Sequence, residues 1–171
     1  MRKPITIVAV FAIILWAGTA LVSRLGAQEP QDDGRSTARG VLSDTALFQM
    51  LSDMGYEPKK LKQGYVVSIK QGEWTYNVQF VISPNREKIG LNANMGTVED
   101  AGVVTATQWM NVLVANTDIA PSFFYFNKNN RTLYMHRVLD NRYVVSALLR
   151  QQVDAFTANI KETADVWKFT K

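Results

Sequence analysis

Cysteine is absent from the 171 residues, and histidine occurs once, as His136. The first absence removes disulfides, thiolate nucleophiles, thiolate-bound metals and a lipid-modified cysteine. The second leaves no HExxH helix and no set of imidazoles for a catalytic metal; GxSxG, P-loop and GxGxxG patterns are missing as well. Glu99 and Asp100 are adjacent acids, but they lie just ahead of a predicted helix, where negative charge suits the macrodipole. No catalytic residue, metal site or cofactor is expected, and the chain reads as a non-enzyme. Asn130-Arg131-Thr132 matches the glycosylation tripeptide, common by chance, and is assigned no role.

A large charge of one sign is also lacking. The formal net charge is +4, yet Arg2, Lys3 and Arg24 all lie in the first 27 residues, which contain no acid. Without that segment 16 Lys and Arg face 15 Asp and Glu. A nearly neutral chain has no clustered cations to neutralise phosphates, so nucleic acid is set aside as a partner.

What is present begins with that first segment. Arg2 and Lys3 precede an uncharged run over residues 5–22, and Gly18, Ala20 and Ala27 offer small residues for cleavage. Residues 1–27 therefore read as a signal peptide or an N-terminal membrane anchor, because the run is intermediate between a signal core and a full span. Either way the basic start stays inside and the remainder is exported, periplasmic or secreted, touching a membrane only through this segment if it is kept. Residues 28–42 are polar with Pro, Gly and mixed charge up to Gly40, the composition of a flexible linker. The folded domain is expected over residues 43–171, long enough for one core.

Within it, Leu47, Phe48, Leu51 and Met54 share a helical face between a Ser43 cap and Gly55. Tyr65, Val67 and Ile69 alternate with polar residues, as do Trp74, Tyr76, Val78, Phe80 and Ile82, then Ile89, Leu91, Ala93 and Met95. A two-residue turn at Gln71 and Gly72 pairs Ile69 with Trp74, and a four-residue turn over 83–86 pairs Phe80 with Ile89. Both turns put the apolar residues on one face and leave Ser68, Thr75, Asn77, Asn92 and Asn94 on the other. Thr105 and Gln108 form a capping box for a helix over about 106–115, with Trp109, Val112 and Leu113 as its stripe. A hairpin follows, turning over 127–130, with Phe124, Phe126, Leu133 and Met135 on one face and Phe123, Tyr125, Thr132, Tyr134 and His136 on the other. Leu149, Val153, Phe156, Ile160, Ala164 and Trp167 mark a long closing helix from about Val144. The order is αβββαββα, an α+β class with helices on one face of a single antiparallel sheet.

The stretches LFQMLSDMGYEP into GYVVSIKQGEWTYNVQFVIS, NTDIAPSFFYF after a Trp-bearing helix, and SALLRQQVDAFTANI resemble the type III secretion chaperone-like fold, in particular YbjN-type domains. The resemblance covers residues 44–167. It implies a non-enzymatic protein: secretion chaperones bind segments of client proteins and often dimerise, and YbjN-type members are regarded as regulators without an established ligand. An export segment departs from that pattern.

Two functions are expected. The first is an exported protein-binding or chaperone-like module, dimeric, using the open sheet face; its candidate contacts are Phe123, Tyr125, Thr132, Tyr134, His136, Thr75, Asn77, Asn92 and Asn94, its partner another protein or a second copy. Tyr supplies contact area at little entropic cost, and neutral amides adapt to what they meet. The second is a small-ligand sensor or regulatory domain with a pocket between closing helix and sheet, where Ala93 opposite Tyr76 leaves room.

Overall fold

The computed structural model describes residues 40–99 and 103–170. The signal or anchor segment and residues 28–39 of the linker lie outside these residues. Among the described residues no helix is long and apolar enough to cross a membrane.

Helix α1 (Asp44–Asp53) begins where Ser43 Oγ accepts from Ala46 N–H and ends before Gly55, which takes φ +84°. A left-handed residue there is one that glycine adopts without a Cβ penalty. Leu47 and Leu51 are fully buried, whereas Phe48, expected beside them, is exposed at the rim with its ring tilted on Tyr65. A short edge strand β1 (Lys59–Lys60) follows, too brief and too polar to be legible as a strand. Then come β2 (Tyr65–Gln71), β3 (Trp74–Ile82) and β4 (Lys88–Thr97).

Their faces are as expected, and their register differs. Gly72 takes the first central position of the β2–β3 turn with φ +63°, so Gln71 pairs with Trp74, Ile69 with Tyr76 and Val67 with Val78. Glycine at the first place of a two-residue turn is what a type II′ hairpin asks for, and this moves every pair by two positions. In the next turn Ser83 N–H donates to Lys88 O, and Arg86 adopts φ +58°, so Ile82 rather than Phe80 faces Ile89. Because side chains alternate with period two, a two-residue slip leaves each on its own face.

Helix α2 (Ala106–Asp118) has the expected capping box, both halves formed by Thr105 and Gln108. It buries Val112 and Ala115 and packs Trp109 edge-on against Phe126 and Phe169. Leu113, placed in that stripe by the sequence, is 60% exposed, because the buried face continues along Val112, Ala115 and Ile119 instead. Strands β5 (Ser122–Asn127) and β6 (Thr132–Asp140) form the second hairpin around a four-residue turn, 128–131. Helix α3 (Ser146–Glu162) starts two residues later than expected and stops at Thr163. There the threonine Oγ–H donates back to Asn159 O, a local bond that competes with helix continuation. A one-turn helix α4 (Ala164–Trp167) carries the stripe onward in a new direction.

The strands make one antiparallel sheet in the order β1-β2-β3-β4-β6-β5. Buried residues of α1, α2 and α3 join those of the sheet in a single core that includes Leu47, Val67, Phe80, Leu91, Val112, Phe124, Met135 and Phe156. The chain just before α1 belongs to this body rather than to a free spacer. Val41 bridges to Arg142, and the fully buried amide of Asn141 bonds both the N–H and the C=O of Leu42.

Candidate functional site

The face away from the helices is built from rows of cross-strand neighbours. One row runs Val66, Gln79, Asn92, His136, Phe123 from β2 to β5. Beside it Ser68 pairs with Asn77, and Asn94 pairs with Tyr134, which pairs with Tyr125. On the other side Val81, Gly90 and Val138 line up. The parity that buries Phe124, Leu133 and Met135 sends Phe123, Tyr125, Tyr134 and His136 to this face.

Those four rings make one cluster. Tyr125 stacks on Tyr134 with centroids 5.2 Å apart and planes at 14°. Phe123 meets His136 edge-on at 5.2 Å, and Tyr125 meets the same imidazole at 6.1 Å. Phe123 and Tyr125 remain 39% and 38% exposed, so their mutual contacts hold the rings without covering them. Tyr134 is braced by Asn130, whose Nδ2–H donates to the phenol oxygen at 2.8 Å. Burial holds the Tyr125 hydroxyl above its ordinary value, with the Tyr134 hydroxyl adding to the rise.

His136 is anchored from below by Asn92, with Nδ1 and Oδ1 2.6 Å apart. Gly90 gives the ring its space: a Cβ at that position would stand 3.0 Å from His136 Cε1. Burial pushes the imidazole below its usual value, and a backbone hydrogen bond at Leu91 opposes the change. Among the described residues no group of three His, Asp or Glu gathers as for a metal ion.

The remaining candidates divide. Asn92 and Asn94 sit beneath the aromatic cluster on β4, whereas Asn77 lies further along the sheet, accepting from Ser68 Oγ–H at 2.7 Å. Thr75 is exposed on β3, opposite Lys70. Thr132 leaves the set: it is 4% exposed, its hydroxyl donates to Asn130 O and its N–H donates to Asn130 Oδ1. Position next to the hairpin turn, which alternation alone does not register, folds it under. Gln79 occupies the place beside Asn92 that the register expected from the sequence gives to Asn77. The Gln79 Nε2–H donates to Gln63 O, tying β3 to the turn before β2.

Neither protein-family models nor curated proteins give a match to this chain. Solved structures do. YbjN from E. coli superposes with TM-score 0.54 at 16% identity over 75% of this chain and 96% of its own. A chain of the heterodimeric ExoU–SpcU complex from the type III secretion system of Pseudomonas aeruginosa gives 0.51 at 11% identity, over 71% of this chain and 98% of its own. The chain has the type III secretion chaperone-like fold of YbjN-type domains, as its strand and helix order implied.

Proposed function

We propose that the chain is a non-enzymatic, protein-binding module that works outside the cytoplasm and receives its partner on the open sheet face. The observation that carries this reading is the ring cluster of Phe123, Tyr125, Tyr134 and His136, partly exposed on a rigid sheet and bordered by Asn92 and Asn94. Exposed aromatics set among neutral amides give a partner apolar area at the centre and hydrogen bonds at the margin. A similar fold in ExoU–SpcU is held in a complex of two different proteins, which favours another polypeptide as occupant. Export rests on Arg2, Lys3 and the apolar run over residues 5–22.

The occupant is a segment of another protein or the same face of a second copy, and light-scattering mass separates these. The full chain is compared with the Tyr125→Ala/Tyr134→Ala double variant. A wild-type dimer that becomes a folded monomer identifies the patch as a self-interface. A mass unchanged by the variant leaves the patch free for a different protein, whose capture must then depend on both tyrosines. Unfolding of the double variant, seen by circular dichroism, would defeat the assignment of these rings to an open face.

A further inference from the structure

A second site lies where the sheet comes apart. Pairing between β3 and β4 runs from Ile82 with Ile89 to Val78 with Ala93 and goes no further. Beyond that point β4 stays with β6 and passes through a register shift between Asn94 and Gly96, while the first residues of β3 stay with β2. The two strands diverge, and a cleft of about 380 Å³ opens between them. Residues of both sheet faces line it for that reason: Trp74 and Tyr76 from the helix side, Thr75, Asn77 and Asn94 from the open side, with Trp167 of α4 closing one wall.

We infer that this cleft binds an uncharged saccharide ring. Three aromatic rings frame it: Trp74 stacks near Tyr76 at 6.1 Å and meets Trp167 edge-on at 6.2 Å. Trp167 is fixed in place because its indole N–H donates to Ile160 O at 3.0 Å. Flat rings with electron-rich faces suit the C–H face of a pyranose. Tyr76 lines the cleft, but its hydroxyl is buried from solvent without a hydrogen-bond partner among the described residues, so it is not a group that a ligand in the cleft reaches. Asn77 and Asn94 each use their Oδ1, for Ser68 Oγ–H and Gly96 N–H, and leave their Nδ2 donors without a protein acceptor among the described residues. Free neutral donors beside an aromatic wall match a ligand rich in hydroxyl and ether oxygens. No residue lining the cleft carries a charge, which argues against phosphates and carboxylates. The cleft shares Asn94 with the border of the open-face cluster but uses none of that cluster's rings, so loss of the tyrosines and loss of Trp74 tell the two sites apart.

The test is titration of the full chain with glucose, N-acetylglucosamine, maltose and cellobiose up to high millimolar concentration, read by tryptophan fluorescence and calorimetry. Saturable binding of at least one of these sugars is expected. Trp74→Ala should weaken it by about tenfold or more, as loss of a central aromatic contact does. Asn77→Ala should weaken it by about threefold to tenfold, the worth of one hydrogen bond, while circular dichroism stays unchanged. The Tyr125→Ala/Tyr134→Ala variant should bind as the wild type does. Flat titrations for all four sugars, or binding that survives Trp74→Ala, would overturn the assignment. Indole is titrated in parallel, and its saturable binding in place of every sugar would replace the sugar with an aromatic ligand and would also overturn the assignment.

Discussion

His136 Nδ1 and Asn92 Oδ1 stand 2.6 Å apart, joining β6 to β4 across the exposed side of the sheet. Phe123 and Tyr125 meet the ring edge-on, Leu91 gives it a backbone hydrogen bond, Gly90 makes room for it, and among the described residues no charged side chain is paired with it.

That neighbourhood fixes a pH dependence. Burial lowers the folded-state pKa of His136 below its unfolded value of about 6.5. The unfolded chain then takes up the proton first, so the His136 contribution to stability is full above that value and is lost as pH falls through the folded pKa. The urea midpoint of the wild type should drop between about pH 8 and about pH 5.5, within the window where histidine rather than carboxylate titrates. His136→Gln, which keeps an amide to meet Asn92 and does not titrate, should flatten that slope. Equal slopes in the two proteins would assign the effect elsewhere.

Phe123 and Phe124 test the parity of β5 directly. Phe124 is 5% exposed and belongs to the core, and Asn116 of α2 accepts its backbone N–H at 2.6 Å. Phe124→Ala should cost about 3–5 kcal/mol, the loss for truncating a buried phenylalanine. Phe123→Ala, on the open face, should cost under about 1 kcal/mol. Chemical denaturation of the two variants decides it, and a reversal would mean that the strand is turned over.

Asn141 holds the chain entering α1. Its side chain is fully buried, and its amide serves Leu42 N–H, Leu42 C=O and Arg86 C=O. Asn141→Ala leaves these backbone groups unpaired, at a cost of about 1–3 kcal/mol for a buried one. Faster amide exchange at Leu42, with exchange in the middle of β4 unchanged after allowance for overall stability, is the expected local signature.

Most of the architecture was written in alternation. Val67, Val78, Leu91 and Met135 could share a face only in one antiparallel sheet, and a register error of two residues did not disturb that. The features that escaped were those set by neighbours distant in sequence. Asn141 reads as a loop residue until Leu42 and Arg86 are beside it, and Leu113 looks as apolar as Val112 although only the latter faces the sheet. The open-face site was legible as a set of residues, while the split between β3 and β4 was not. It depends on β4 following β6 through a shift at Met95, which no local pattern announces.

Gly64 shows how closely the second turn of the domain is packed. It adopts φ +72°, and a Cβ on it would lie 1.8 Å from the carbonyl oxygen of Phe80, a fixed backbone atom in the middle of the sheet. Gly64 also accepts from Leu61 N–H, closing the turn between β1 and β2. Gly64→Ala must therefore bear a left-handed backbone and move either the turn or β3, which together should cost at least about 3 kcal/mol. Gly72 provides the comparison. It has φ +63° with open space around the missing Cβ, so Gly72→Ala should bear only the backbone term of about 1–2 kcal/mol. The two urea midpoints measured side by side separate conformational strain from collision; equal losses would show that the approach of Gly64 to Phe80 is not what constrains this turn.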